Sequence, residues 1–131
     1  MTRIAVVDND SALVSLLTEL FDERGWDSAS YAETDTALAG LKEDVPDLVI
    51  LDIWLDTPNS GWYLLRQLKQ DPDLRSVPVI VCSGATNHLA DKEQWLNRHG
   101  IPVLYKPFDI DDVYEMVESA LAGSIPGMLE T

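Results

Sequence analysis

Four apolar runs in this chain of 131 residues end on side chains that do chemistry. Ile4–Val7 leads to Asp8, Leu48–Leu51 to Asp52, Val79–Cys82 to Ser83, and Val103–Tyr105 to Lys106. Two carboxylates at close quarters repel and raise one another's pKa unless a cation lies between them. Mg2+ suits that role, because it accepts one or two carboxylates and keeps water in its other positions. With the metal in place Asp52 stays ionised and can attack phosphorus, as carboxylates do when they act as phosphoryl acceptors. The transferring group spreads charge over three equatorial oxygens, and three partners are at hand: the metal, the Lys106 ammonium and the Ser83 hydroxyl. Gly84, beside Ser83, leaves room for the phosphoryl group to approach the backbone. Singly, each polar terminus reads as a loop start or a helix cap. Four of them with matching chemistry favour one shared site.

These side chains meet only if the runs are strands of one sheet. The stretch Asp47–Trp54, D-L-V-I-L-D-I-W, is apolar without alternation, which suits a central strand covered on both faces. After Asp8, the residues Asn9, Asp10 and Ser11 can cap a helix, and Leu13, Leu16, Leu17, Leu20 and Phe21 recur at helical spacing until Gly25. A short strand over 28–31 precedes a weaker helix over 33–43 with Thr34, Ala37, Leu38 and Leu41 on one face. Gly61, Leu64, Leu65 and Leu68 mark the inward face of a third helix, and 77–83 a fourth strand. A helix over 87–99 is poorly striped by Leu89, Trp95 and Leu96. Residues 102–106 form a fifth strand, and Ile110, Val113, Tyr114, Val117, Ala120 and Leu121 stripe a last helix over 109–122. Five strand-then-helix units predict an α/β domain: a five-stranded parallel sheet, order 2-1-3-4-5, with helices on both faces. That order sets strands 1 and 3 side by side, and ligands bind outside the carboxyl ends of strands where the order reverses.

Composition bounds the rest. At 46% hydrophobic residues the chain can bury a full core as a single domain, residues 1–122, with 123–131 as a tail. Its one cysteine, Cys82, lies in an apolar run and reads as a buried, reduced, inert thiol. No run approaches the ~20 apolar residues of a membrane span, and the N-terminus is too short in apolar length for a signal peptide. A cytoplasmic protein with no membrane partner is expected. The formal charge of −14, from 23 acids and 9 bases, argues against direct contact with nucleic acid. Most of those acids read as solvated helix faces.

V-V-D, L-V-I-L-D-I, V-I-V-C-S-G and Y-K-P-F-D, in that order and spacing, resemble the response-regulator receiver domains of two-component signalling. The likeness runs over residues 3–122 and is CheY-like and flavodoxin-like in fold. It implies that Asp52 is the phosphoacceptor, Asp8 a member of the acidic pocket, Ser83 the switch hydroxyl and Lys106 the phosphate-contacting lysine. It implies Mg2+ held by Asp8, Asn9, Asp52 and the backbone carbonyl of Trp54, and a cis peptide bond at Lys106–Pro107. The donor would be a sensor histidine kinase or a phosphotransfer protein, and the reader a downstream protein, with a second copy of the chain a candidate. Such a domain is a signalling phosphoacceptor, with Mg2+-dependent self-phosphorylation and self-dephosphorylation as its only catalysis.

The chain departs from that pattern at three places. Asn9 stands where the family has a second acid, a lost charge that weakens Mg2+ binding by on the order of 1 to 4 kcal/mol. Asp10, a nearby substitute acid, reads as a helix cap. Trp54 reads as a lid over the phosphoryl site, in a loop to Gly61 one residue longer than usual. Val103 occupies the family's aromatic switch position, while Tyr105, adjacent to Lys106, should face the other side of the sheet. His88 and His99 read as solvated, Asp22-Glu23-Arg24 as a wet helix end, and Trp26, Trp62 and Trp95 as packing residues, Trp95 also being placed for a partner. Two other readings compete: a pseudo-receiver that binds a partner without phosphate, and a small phosphatase using Asp8 of the D-x-D at Asp8–Asp10 as nucleophile. A fragment cut from a larger regulator would read identically.

Overall fold

Aliphatic runs without polar interruption have no wet face to offer, so the strands they form must be covered on both sides. In a computed structural model of the chain, described for residues 2–53, 55, 60–84 and 92–123, they do so in a parallel sheet. Its strands are β1 (Arg3–Val7), β2 (Asp27–Tyr31), β3 (Leu48–Asp52), β4 (Val79–Ser83) and β5 (Val103–Tyr105), in the order β2-β1-β3-β4-β5. All four pairings are parallel, with Val7 opposite Leu51 and Asp52 opposite Cys82. The chain thus steps from β1 outward to β2, then back across β1 to β3, and the order reverses between β1 and β3.

The helices are α1 (Ser11–Glu23), α2 (Thr34–Glu43), α3 (Ser60–Gln70), α4 (Glu93–Arg98) and α5 (Ile110–Leu121). Successive strand residues point to opposite faces, and the core divides accordingly. Ala5, Val7, Val49, Leu51, Val79 and Val81 pack with Ala37 and Leu41 of α2, Leu64, Leu65 and Leu68 of α3, and Leu96 of α4. Ile4, Val6, Leu48, Ile50, Ile80, Cys82 and Leu104 pack with Leu17, Leu20 and Phe21 of α1 and Val113, Val117 and Ala120 of α5. Trp26 lies against Phe21 and Tyr114 on this second face, while Trp62 and Trp95 pack on the first.

Helix ends follow local chemistry. The Asp10 carboxylate accepts from the amides of Ala12 (3.1 Å) and Leu13 (3.2 Å), capping α1, and Asp109 and Asp112 form a reciprocal capping box on α5. Gly25 closes the turn after α1 at φ +76°, a conformation that disfavours any Cβ. The buried stripe of α1 is narrower than its sequence spacing predicts, because Leu16 is exposed. Strand β2 starts at Asp27, one residue earlier than predicted, where Arg3 lies opposite it in register and its guanidinium reaches the Asp27 carboxylate at 3.0 Å. In α4 only Leu96 is buried, which accounts for its weak periodicity. His88, Leu89 and Trp54 lie outside the described residues. Among the described residues, no helix is long and apolar enough to cross a membrane.

Candidate functional site

The β1–β3 reversal carries two acids. Asp8 follows the last residue of β1 and Asp52 is the last residue of β3, both on the parity of the α1–α5 face. Both are almost fully enclosed, at 4% and 6% exposure, and ionised carboxylates do not sit at such depth without partners. Lys106 supplies one. Its Nζ stands 3.2 Å from Asp8 Oδ2 and 3.3 Å from Asp52 Oδ2, bridging side chains that are 98 and 54 residues away in sequence.

The backbone fixes each member of this cluster. The Asp8 amide donates to the Tyr31 carbonyl (3.0 Å), while Asp8 Oδ1 accepts from the Asp10 amide (2.9 Å). Lys106 donates its amide to the Ser83 carbonyl (2.8 Å), tying the turn after β5 to the end of β4. The Lys106–Pro107 peptide bond is cis. Burial on its own would lower the Lys106 pKa, but the charges of Asp52 and Asp8 outweigh it and hold the ammonium above its ordinary value. Cys82, opposite Asp52 in the ladder, responds to the same groups. Burial pushes its thiol up to about 12, the Lys106 charge pulls it down, and the two carboxylates add to the rise.

Ser83 is buried at 1% exposure. Strand alternation sets it beside Tyr105 in register, on the α3–α4 parity, the one opposite to Asp52. The position of a Cβ on Gly84 lies 3.5 Å from Lys106 Cβ, an ordinary contact, so Lys106 alone does not demand a glycine there. Tyr105 is on the face opposite to Lys106 and its hydroxyl donates to Glu93 of α4 (3.3 Å), while Val103 packs into the core of that face.

Asn9 is exposed, and its Nδ2 donates to the Leu55 carbonyl at 3.0 Å. An aspartate could not make that bond, since an ionised carboxylate only accepts. Asn9 therefore spans the loops after β1 and β3, leaving its amide oxygen as the atom able to ligate a cation. Among the described residues no group of three or more His, Cys, Asp or Glu is placed to hold a metal. The available donors are the carboxylates of Asp8 and Asp52 and one neutral amide oxygen. That set fits Mg2+, which needs few protein oxygens and retains water, with less charge than a three-acid site. The Trp54 carbonyl, the fourth sequence-predicted ligand, lies outside the described residues. Asp10 is committed to capping α1.

One positioning residue is more important than its place in a helical stripe suggests. A Cβ added to Gly61 would fall 2.0 Å from the Asp52 carbonyl oxygen and 2.6 Å from that of Ile53. The first turn of α3 thus rests directly on the backbone of Asp52, a contact only glycine allows. The signal in the sequence is a glycine at an inward helical position where a larger apolar residue would be ordinary.

The family model described as "response regulator receiver domain" matches residues 4–118. Among curated proteins, the phosphate regulon transcriptional regulatory protein PhoB of Rhizobium meliloti (strain 1021) is 30% identical over 131 residues, all of this chain but 57% of that protein's length. The crystal structure of the receiver domain of NtrX from Brucella abortus superposes with a TM-score of 0.78 at 29% identity, covering 92% of this chain and 99% of that one. The receiver domain of sensor histidine kinase PA1611 from Pseudomonas aeruginosa PAO1, solved with a magnesium ion in its active site cleft, gives a TM-score of 0.78 at 17% identity, over 92% of this chain and 98% of that one.

Proposed function

The chain belongs to the response regulator receiver domains of two-component systems, and from that premise we propose that it accepts a phosphoryl group on Asp52 from a phosphohistidine donor. The observation that carries this reading is the single ammonium, Lys106, shared between two enclosed carboxylates at the sheet reversal. That arrangement keeps Asp52 close to a fixed cation that can meet phosphoryl oxygens as charge develops on them. Mg2+ would be held by Asp8, Asp52, the Asn9 amide oxygen and the Trp54 carbonyl. It would neutralise the acids and screen the incoming anion from them, the chemistry that a bound divalent ion supplies in phosphoryl transfer.

The receiver is taken as residues 1–122 and acts in the cytoplasm as a signalling domain. Its donor is a sensor histidine kinase or a phosphotransfer protein, and its output is a changed surface on α4, β5 and α5. A phosphoryl group adds about −1.5 to −2 charge, which draws the Ser83 hydroxyl and Lys106 toward it. The movement reaches α4 through the neighbour of Ser83 in the ladder, Tyr105, whose hydroxyl holds Glu93. Tyr105 takes that part because Val103 has no ring to move. Trp54 acts as a lid that slows hydrolysis of the acyl phosphate, and Trp54→Ala tests it directly through the dephosphorylation rate.

One observation favours a second reading, a pseudo-receiver that binds its partner without phosphate: Asn9 leaves the acidic pocket one charge short and is engaged with Leu55. A phosphatase using Asp8 as nucleophile is disfavoured, since Asp10, its second acid, is the α1 cap. Incubation with a small acyl phosphate and Mg2+, followed by intact-mass spectrometry, separates the three. The proposal expects a gain of one phosphoryl group that Asp52→Ala abolishes. No gain at high Mg2+ supports the pseudo-receiver, and a label on Asp8 supports the phosphatase.

A further inference from the structure

Among the described residues, four Lys and Arg side chains form ion pairs with described carboxylates. Arg3 pairs with Asp27 and Asp44, Arg24 with Glu118, Lys42 with Asp71, and Lys106 with Asp8 and Asp52. With 23 acids available, a basic residue that has no carboxylate partner stands out. Arg66, Lys69 and Arg75 have none among the described residues, and all three line one cleft of about 390 Å³ together with Gln70, Trp95 and His99.

The cleft is built on fixed parts. Lys69 Nζ, half-buried, donates to the carbonyls of Val77 (3.0 Å) and Arg75 (3.3 Å), which anchors the ammonium and leaves one of its three N–H groups for another acceptor. Desolvation holds its pKa below the ordinary lysine value, as expected of a cation with no anion to stabilise it. Across the cleft the His99 imidazole stacks on Trp95, centroids 3.9 Å apart and planes 22° apart, and its Nδ1 lies 2.8 Å from the Trp95 carbonyl. Trp62 also meets Trp95, in a T-shaped contact with centroids 5.0 Å apart. The indole is therefore braced, and the exposed imidazole presents a flat outer face beside the cations.

We propose that this cleft between α3 and α4 binds a small phosphorylated anion, with Arg66, Lys69 and Arg75 meeting the phosphate. Guanidinium groups offer paired, planar N–H donors that match phosphate oxygens, and they stay charged at any physiological pH. The ligand is small because the cleft is. A free phosphate or pyrophosphate and the phosphate of a mononucleotide share this chemistry, and they differ in whether the outer face of His99 takes part.

The test is isothermal titration calorimetry on the full chain, without Mg2+ so that the Asp52 site takes no part, using inorganic phosphate, pyrophosphate and AMP as separate probes. Saturable binding of any of them is expected, weakened at least tenfold by R66Q/R75Q and weakened again by raising the salt. The double variant should unfold at the wild-type urea midpoint and phosphorylate at the wild-type rate. AMP binding that falls in His99→Ala while pyrophosphate binding does not identifies the nucleotide as the ligand class, and equal affinities identify the free anion. The proposal is overturned if no probe saturates at millimolar concentration, if R66Q/R75Q binds as wild type does, or if a hexaglutamate peptide binds more tightly than every phosphate probe.

Discussion

At the carboxyl edge of the sheet two enclosed carboxylates share one ammonium, whereas between α3 and α4 three cations share no carboxylate among the described residues. The first region is one negative charge in excess and lies at the crossing of three strands. The second is in positive excess and lies on helices and a loop. Buried charges at strand ends have to be matched for the chain to fold, so the first region is tied to stability. The Arg66 and Arg75 side chains of the cleft are exposed, keep their hydration and cost little without a carboxylate. The two regions should therefore respond in opposite ways to losing a charge.

The largest effect is expected from Lys106→Met. It takes away the ammonium that bridges Asp8 and Asp52, and should lower stability by about 3 kcal/mol at neutral pH, read as a fall in the urea midpoint. Mg2+ should restore part of that loss by replacing the missing cation. Gly61→Ala tests the same edge through the backbone. Its methyl group would overlap the Asp52 carbonyl, and about 2 kcal/mol of destabilisation is expected, with slower phosphorylation because the carboxylate moves with its strand end.

Asn9→Asp adds a charge to the acidic side. Mg2+ affinity should rise at least tenfold, about 1.4 kcal/mol, by calorimetric titration, while the bond to Leu55 is lost. Cys82 probes the edge by pH. Its folded pKa of about 12 stands above the ordinary 9.0, so above pH 9 the unfolded chain releases a proton that the folded chain keeps, and stability falls as pH rises toward 12. By pH 10 roughly 1 kcal/mol should be lost, and Cys82→Ala should flatten that slope. The native thiol should resist alkylation at pH 8. The smallest effect is expected on the other side of the comparison: Arg66→Gln removes a charge with no carboxylate partner among the described residues, and stability should stay within about 0.5 kcal/mol of wild type.

The sequence made the acidic side far more legible than the basic one. Apolar runs with a chemically useful residue at the end are local patterns, so Asp8, Asp52, Ser83 and Lys106 can be read without knowing the fold, and the alternation of strands with helices gives the sheet order that joins them. The Asn9–Leu55 bond spans 46 residues, and no local pattern encodes it. Gly61 could be seen as an inward helical position, but its contact with the Asp52 backbone exists only once α3 is laid on the end of β3. The basic cleft was hidden by the overall charge of −14, which masks a local reversal of sign. His99 on its own gave no reason to look beyond a solvated side chain. The six residues of α4 bury one side chain, too few to produce a stripe.

Asp10 has a consequence for how the molecule would report its own state. Its amide grips the Asp8 carboxylate while its side chain holds the opening turn of α1, so a single residue couples the ionic condition of the pocket to the fraying of the helix that starts at the next position. Any ligand that draws Asp8 inward should tighten that turn, and the exchange of the Ala12 and Leu13 amide protons with deuterium would slow as a built-in gauge of occupancy.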